Sequence, residues 1–215
     1  MNKFNKIYES IVNEEHPIFK PASKEEIKKR QDTKWERWLE DKVAEGEFTK
    51  NSDGSYDAKG DVDLSGMNLT KIPVQFNKVG GWFVCNANNL TSLKGSPKEV
   101  KEYYWCAYNK LSSLEGAPKK VGGGFNCSEN KLSSLKGAPK KVGGYFDCGG
   151  NNLTSLEDVP KIVKRYFDCG GNNLTSLKGA PKEVGSFLCS KQNNGHKFTK
   201  EDVNKVCNVK GDIYV

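Results

Sequence analysis

The chain has 215 residues, 35% of them hydrophobic and 28% charged, with 22 Gly, 8 Pro and a formal net charge of +7. That balance suits one soluble domain, or one domain with an appendage. No apolar run approaches the ~18 residues that span a bilayer, and MNKFNKIYES lacks the apolar core of a secretory signal, so no membrane partner and a cytoplasmic location are predicted.

In chain order, residues 1–20 read as an amphipathic leader helix with Phe4, Ile7, Tyr8, Ile11 and Val12 on one face, closed by HPIFKPAS. Residues 21–60 read as a helix and a hairpin. The helix begins at Ser23 with Glu26 completing a capping box, carries Ile27, Trp35, Trp38, Leu39 and Val43 as its apolar stripe, and ends near Gly46. This helix is expected to pack on the first rung of the repeat region. The segment FTKNSDGSYDA turns at Asp53-Gly54.

Residues 61–195 say one thing repeatedly. Leu69, Leu90, Leu111, Leu132, Leu153 and Leu174 are spaced by 21, as are Cys85, Cys106, Cys127, Cys148 and Cys169, with Cys189 following after 20. The unit is F-x-C-x-x-N-x-L-T-x-L-x-x-x-P-x-x-V-G-G, a period in the leucine-rich-repeat range. Phe and Cys two apart enter the core from one strand face. Asn88, Asn109, Asn130, Asn151 and Asn172 form a ladder of buried amides that bond the turning backbone of their own and adjacent units. Pro closes the return, and Gly-Gly is expected to supply a tight turn into the next strand. Val62, Leu64 and Met67 make a degenerate first unit, and Gln192 takes the Asn position in the last. Seven Cys tied to a repeat, without C-x-x-C and with His16 and His196 outside the Cys-bearing units, predict buried, reduced thiols, and neither a metal nor a cofactor.

Residues 196–215 read as a C-terminal helical cap. Thr199 with Asp202 opens a helix expected through Asn208, Val203 and Val206 seal the last unit, and DIYV is a final strand. The predicted fold is therefore an α/β repeat solenoid: a curved parallel β-sheet, an irregular convex side, N-terminal helices and a C-terminal helical cap.

The units NNLTSL and GAPKEVG resemble the bacterial-type leucine-rich repeat, most closely small repeat proteins encoded by tailed bacteriophages, over about residues 61 to 215. The resemblance implies a parallel-β solenoid used for protein binding. Some bacterial repeat effectors carry a ubiquitin-ligase domain with a Cys-x-Asp site; this chain has no Cys-x-Asp, so that activity is not carried over. The beginning MNKFNKIYESIVNE is similar to leaders that direct phage proteins into the assembling head.

The outward strand positions are the most individual residues of the repeat. One column reads Trp82, Tyr103, Gly124, Tyr145, Tyr166, Ser186, and the next Val84, Trp105, Asn126, Asp147, Asp168, Leu188. Exposed aromatics beside small residues have the composition of binding hot spots, here in two patches, Trp82/Tyr103/Trp105 and Tyr145/Tyr166 with Asp147 and Asp168. Cross-strand packing of the same rings is the plainer alternative. The carboxylate pair has no His, Lys or nucleophile in its columns, so contact with a basic partner is expected rather than acid/base catalysis.

Charge defines a second surface. Residues 64–195 carry 18 Lys/Arg against 9 Asp/Glu, and Lys98, Lys119, Lys140, Lys161 and Lys182 follow the Pro of successive units. Such a stripe could track phosphates. The alternating signs of Lys94, Glu115, Lys136, Glu157 and Lys178 dilute it, and the aromatics lie on the other side. The sequence thus points to a non-enzymatic module that binds a host or phage protein through Trp82, Val84, Tyr103, Trp105, Asn126, Tyr145, Asp147, Tyr166, Asp168 and Leu188, with nucleic-acid binding by the lysines, or a place in the virion, as alternatives.

Overall fold

Each repeat unit contributes two short strands, and stacking the units in register turns those strands into two parallel sheets. The computed structural model describes residues 23–43 and 47–215; the predicted leader helix lies outside them. Two units separate at Trp38 and Leu39. The first includes most of α1 (Lys24–Lys42), whose capping box is present: Ser23 N–H donates to Glu26 Oε2 at 2.8 Å and Glu26 N–H to Ser23 Oγ at 3.1 Å. Trp35 and Trp38 meet edge to face at 5.9 Å, and Ile27 is exposed. The helix ends at Lys42, short of Gly46.

The second unit is a parallel β-solenoid of about seven turns. Its nine-stranded sheet holds β3 (Val62–Asp63), β5 (Phe83–Val84), β7 (Tyr104–Trp105), β9 (Phe125–Asn126), β11 (Phe146–Asp147), β12 (Ile162–Asp168), β13 (Glu183–Leu188), β14 (Asn208–Val209) and β15 (Ile213–Tyr214). The return side is not irregular as expected. It carries a six-stranded sheet of β1 (Phe48–Lys50), β2 (Tyr56–Ala58), β4 (Phe76–Val79), β6 (Glu99–Val100), β8 (Lys120–Val121) and β10 (Lys141–Val142). The reason is local: each unit sets a buried Val behind an outward residue, and two such positions at a constant period are enough to pair with their copies. The hairpin β1–β2 forms around Gly54 (φ +82°), and β2 pairs with β4. Leu39 and Val43 are buried, and Val43 makes an antiparallel bridge to Val62.

Between the sheets runs a spine of rings. Phe83, Tyr104, Phe125, Phe146, Phe167 and Phe187 are fully buried, with successive centroids 5.2–6.1 Å apart. Tyr104 is the odd member, and its hydroxyl is 2.7 Å from Ser96 Oγ. Ser96 stands where other units have Ala117, Ala138 and Ala180, so the two departures from the pattern answer one another. Burying each Phe or Leu contributes about 1.5–3 kcal/mol.

The amide ladder is present as predicted. Asn151 Nδ2 donates to the carbonyls of Cys127, Cys148 and Gly149, each at 3.1 Å, while Leu132 N–H donates to Asn151 Oδ1 at 3.0 Å. Gly-Gly has a different role from the one expected. A Cβ on Gly122 would lie 1.9 Å from the Lys101 carbonyl oxygen and one on Gly143 1.9 Å from that of Gly122, so these glycines permit close stacking of units. The left-handed turn sits instead at Gly95, Gly116, Gly137 and Gly179, whose φ values run from +91° to +101°.

At the far end, Thr199 and Asp202 form the capping box of α2 (Lys200–Val206). The helix stops at Val206, two residues earlier than expected, because Asn208–Val209 pairs with Glu183–Val184 as β14. Ile213–Tyr214 pairs with Phe187–Leu188.

Asn151→Ala removes the amide from four main-chain groups and is expected to cost at least about 3 kcal/mol, whereas exposed Asn152→Ala stays within about 0.5 kcal/mol. Urea unfolding of both variants checks this, and equal midpoints would remove the ladder's structural role. Tyr104→Phe is expected to cost about 1–2 kcal/mol by stranding the Ser96 hydroxyl, and Ser96→Ala added to it to restore most of that loss. An additive double-mutant cycle would show that the two groups are not coupled.

Candidate functional site

The outward face of the nine-stranded sheet is built by the strand residues that alternate with the buried ring and Cys. In-register pairing places Trp105 beside Asn126, Asn126 beside Asp147 and Asp147 beside Asp168. The face includes half-buried Trp82, Tyr103, Trp105, Asn126, Tyr145, Asp147, Tyr166, Asp168 and Leu188. Val84 is a correction: it is only 7% exposed. Paired with Trp105, a short side chain beside an indole presents almost nothing to a partner.

The two expected aromatic patches are one. Gly124 leaves a gap in the first column, and Tyr145 leans across it. A Cβ at Gly124 would fall 2.2 Å from the Tyr145 ring. Leaning brings Tyr145 to 6.1 Å from Tyr103 and lets Trp105 Nε1–H donate to the Tyr145 hydroxyl. Tyr145 also stacks on Tyr166 at 4.6 Å with an interplanar angle of 3°, and Tyr103 lies 5.9 Å from Trp105. Four rings from β7 to β12 are thus locked in one run. Burial, and then Tyr166, push the Tyr145 hydroxyl up to about 12, against the opposing effect of the Trp105 bond.

Asn126, Asp147 and Asp168 share a backbone task that the sequence reading missed. Each side-chain Oδ1 accepts the N–H two residues on, from Ser128 at 2.9 Å, Gly149 at 3.0 Å and Gly170 at 2.8 Å, closing the turn that leaves the strand. Asp63 does the same with Ser65 at 2.8 Å. An acceptor was the legible signal, since this column carries Asx at four of its seven positions from Asp63 to Leu188. Burial, and then the neighbouring charges of Asp168 and Glu129, push the Asp147 carboxyl up to about 6; the Gly149 N–H opposes them. Asp168 is raised by burial and held back by Gly170.

The face also extends further than predicted at both ends. Asp63 precedes Val84 in register, and Tyr214 follows Leu188 and is exposed. The pattern G-x-F-x-C is legible in GDVDL and GDIYV once the end units are aligned on glycine. No Lys or Arg occupies the two outward columns, although the chain as a whole is basic.

The thiols lie behind this face. All seven cysteines are free and buried, and Cys148 Sγ–H donates to the Asp168 carbonyl at 3.2 Å, as Cys106 and Cys127 do to Asn126 and Asp147. Burial pushes Cys85 up to about 12 and Cys106, Cys127, Cys148 and Cys169 well above the thiol range. Among the described residues no group of three His, Cys, Asp or Glu is placed to hold a metal ion, and no helix is long and apolar enough to cross a membrane.

Fold and site together define a parallel β-solenoid with a continuous aromatic and acidic strip on one sheet. Comparison with known proteins finds no matching family, no matching curated protein and no matching solved structure.

An acid whose folded-state pKa is raised stabilises the fold below its unfolded value, about 4, and loses that contribution as pH rises through about 6. Asp147→Asn keeps the acceptor for Gly149 and removes the charge, as Asn126 already does one rung away. The variant is expected to melt higher than the parent at neutral pH and together with it near pH 4. Thermal melts across that range check this, and a constant difference would show that Asp147 is not held in a charge-opposing environment.

Proposed function

We propose that this chain is a non-enzymatic protein-binding module whose partner lies across the outward face of the nine-stranded sheet. The observation that carries the reading is the locked run of Tyr103, Trp105, Tyr145 and Tyr166. Aromatic side chains held rigid before binding lose little conformational freedom when a partner arrives, and they supply large amphipathic contact area. The plainer reading, that the rings only brace the sheet, accounts less well for their position: all four remain half-exposed on the outward face.

The partner's contacting segment is basic. Asp147 and Asp168 lie beside the rings with no lysine or arginine in their columns, and each has a carboxylate oxygen beyond the one used in its turn. A Lys or Arg side chain against the tyrosine faces would gain cation–π and charge-assisted contacts together. The unit sequence supports assignment to the leucine-rich-repeat class. On this reading α2 with its buried Val203 closes the open end of the stack. The resemblance of the unit sequence to small phage-encoded repeat proteins supports a host protein in the cytoplasm, including a defence component to be blocked, as that partner, with a virion component as the alternative.

The test is affinity purification from the native host in the presence of nuclease, with Trp105→Ala/Tyr145→Ala beside the parent. A protein recovered with the parent and reduced at least about tenfold with the double variant, at unchanged circular dichroism, is the expected result. Equal recovery by both proteins would remove the sheet face as the binding site.

A further inference from the structure

The fifth unit departs from the repeat at several positions that cluster in space. Where the preceding unit reads KGAPKKVGG (136–144), it reads EDVPKIVKR (157–165). Asp158 takes the left-handed position, with φ +73°, that glycine holds elsewhere. Val159 stands where Ser96, Ala117, Ala138 and Ala180 stand in other units, Ile162 replaces a charged residue, and Lys164-Arg165 takes the Gly-Gly position as Lys101-Glu102 does in the second unit.

At this step the six-stranded sheet stops. β10 pairs with β8 but has no ladder to Ile162–Val163, which pairs only with Glu183–Val184 of β13. The main-chain bonds from Lys119 to Lys98, Lys140 to Lys119 and Lys182 to Lys161 have no counterpart between Lys161 and Lys140 among the described residues. Arg165 N–H rejoins the stack by donating to the Gly144 carbonyl at 3.1 Å. Beside this step lies a groove of about 890 Å³, lined by residues from Lys120 to Lys182.

The groove has an apolar floor and a basic rim. Val159 and Pro160 line it together with Ile162, which is 55% exposed. Six lysines line it against two acids, Glu157 and Asp158, and Asp158 is engaged by Lys140 at 3.6 Å. In the outward column of this sheet Lys120 is paired with Glu99 at 2.6 Å, and beyond the break Glu183 is engaged by Lys210 at 2.7 Å. Lys141 faces Ile162 across the interrupted step, where such pairing would need an acid.

We propose that this groove binds an acidic peptide segment of a partner protein, with one large apolar side chain seated over Ile162 and Val159 and flanking carboxylates meeting Lys141, Lys161, Lys164 and Lys182. Charge complementarity selects the occupant: an apolar floor inside a lysine rim matches an apolar residue inside an acidic stretch. Nucleic acid fits less well, because no aromatic ring lines the groove to stack a base. The surface is separate from the aromatic strip and opposite to it in charge, so the chain can hold a basic and an acidic segment at once.

The test is fluorescence anisotropy of the full chain with dye-labelled peptides in which Leu, Ile, Phe or Trp is flanked on both sides by Asp and Glu. The same peptides with Ser at the centre, the same with Asn and Gln flanks, and a single-stranded oligonucleotide complete the set. At least one acidic-apolar peptide is expected to bind, its Ser version and the Ile162→Glu protein each lowering affinity by about tenfold or more. Lys141→Glu/Lys164→Glu is expected to weaken binding and flatten its salt dependence, and Trp105→Ala/Tyr145→Ala to leave it unchanged. Both groove variants sit at exposed positions, and circular dichroism establishes that they fold. Absence of binding by every peptide, equal binding of the Ser versions, indifference to Ile162→Glu, or tighter binding of the oligonucleotide would each overturn the proposal.

Discussion

The solenoid depends on one buried side-chain amide per turn. Carbonyl and N–H groups that leave a strand into a turn inside the stack have no water and no ladder partner, and an unpaired group there costs about 1–3 kcal/mol. Asn88, Asn109, Asn130, Asn151 and Asn172 each answer this by donating to carbonyls of their own and the preceding unit and accepting one N–H from the preceding unit. Such an amide cannot tolerate drift in the period. The last turn makes the point: it is one residue short, and Gln192, longer by one methylene, accepts from Leu174 N–H at 3.3 Å and donates to the Ser190 carbonyl at 3.0 Å.

A period held that firmly turns every other position into a column. Inward columns become the ring spine and the thiols, whose burial keeps them protonated and makes them small hydrophobes that also donate weakly to the next unit's carbonyl. Outward columns are released from core packing and vary from unit to unit. On the nine-stranded sheet that freedom is taken up by aromatic rings and carboxylates, and on the six-stranded side largely by lysines. Charge is thereby sorted between two faces of one stack.

Both candidate surfaces arise where the repeat is broken. Loss of a side chain at Gly124 lets Tyr145 cross to Tyr103 and Trp105. Larger side chains in the fifth unit, Val159 and Ile162, line a groove beside the point where the six-stranded sheet ends. A gap and an insertion have opposite local effects, yet each replaces a uniform column by a shaped surface. Tyr104 with Ser96 shows the complementary case, a departure compensated inside the core that leaves the stack undisturbed.

Whatever recurs could be read directly, namely the period, the buried Phe, Cys and Leu and the Asn ladder, and so could the two capping boxes and the hairpin at Gly54 from their local residue patterns. These derive from short-range spacing and from the requirement that buried polar groups be paired, and both are written in each unit. The second sheet was not legible, because a two-residue strand has no signature alone and exists only when its copies line up. The reason for Gly-Gly was misread for a related cause: its constraint is the Lys101 or Gly122 carbonyl of the neighbouring turn, a contact across about twenty residues. The lean of Tyr145, the near-complete burial of Val84, the turn-closing bonds of Asp147 and Asp168 and the groove beside Ile162 likewise belong to the tertiary structure. Each is decided by what the adjacent unit places within a few ångströms, and that distance is set only once the turns are stacked.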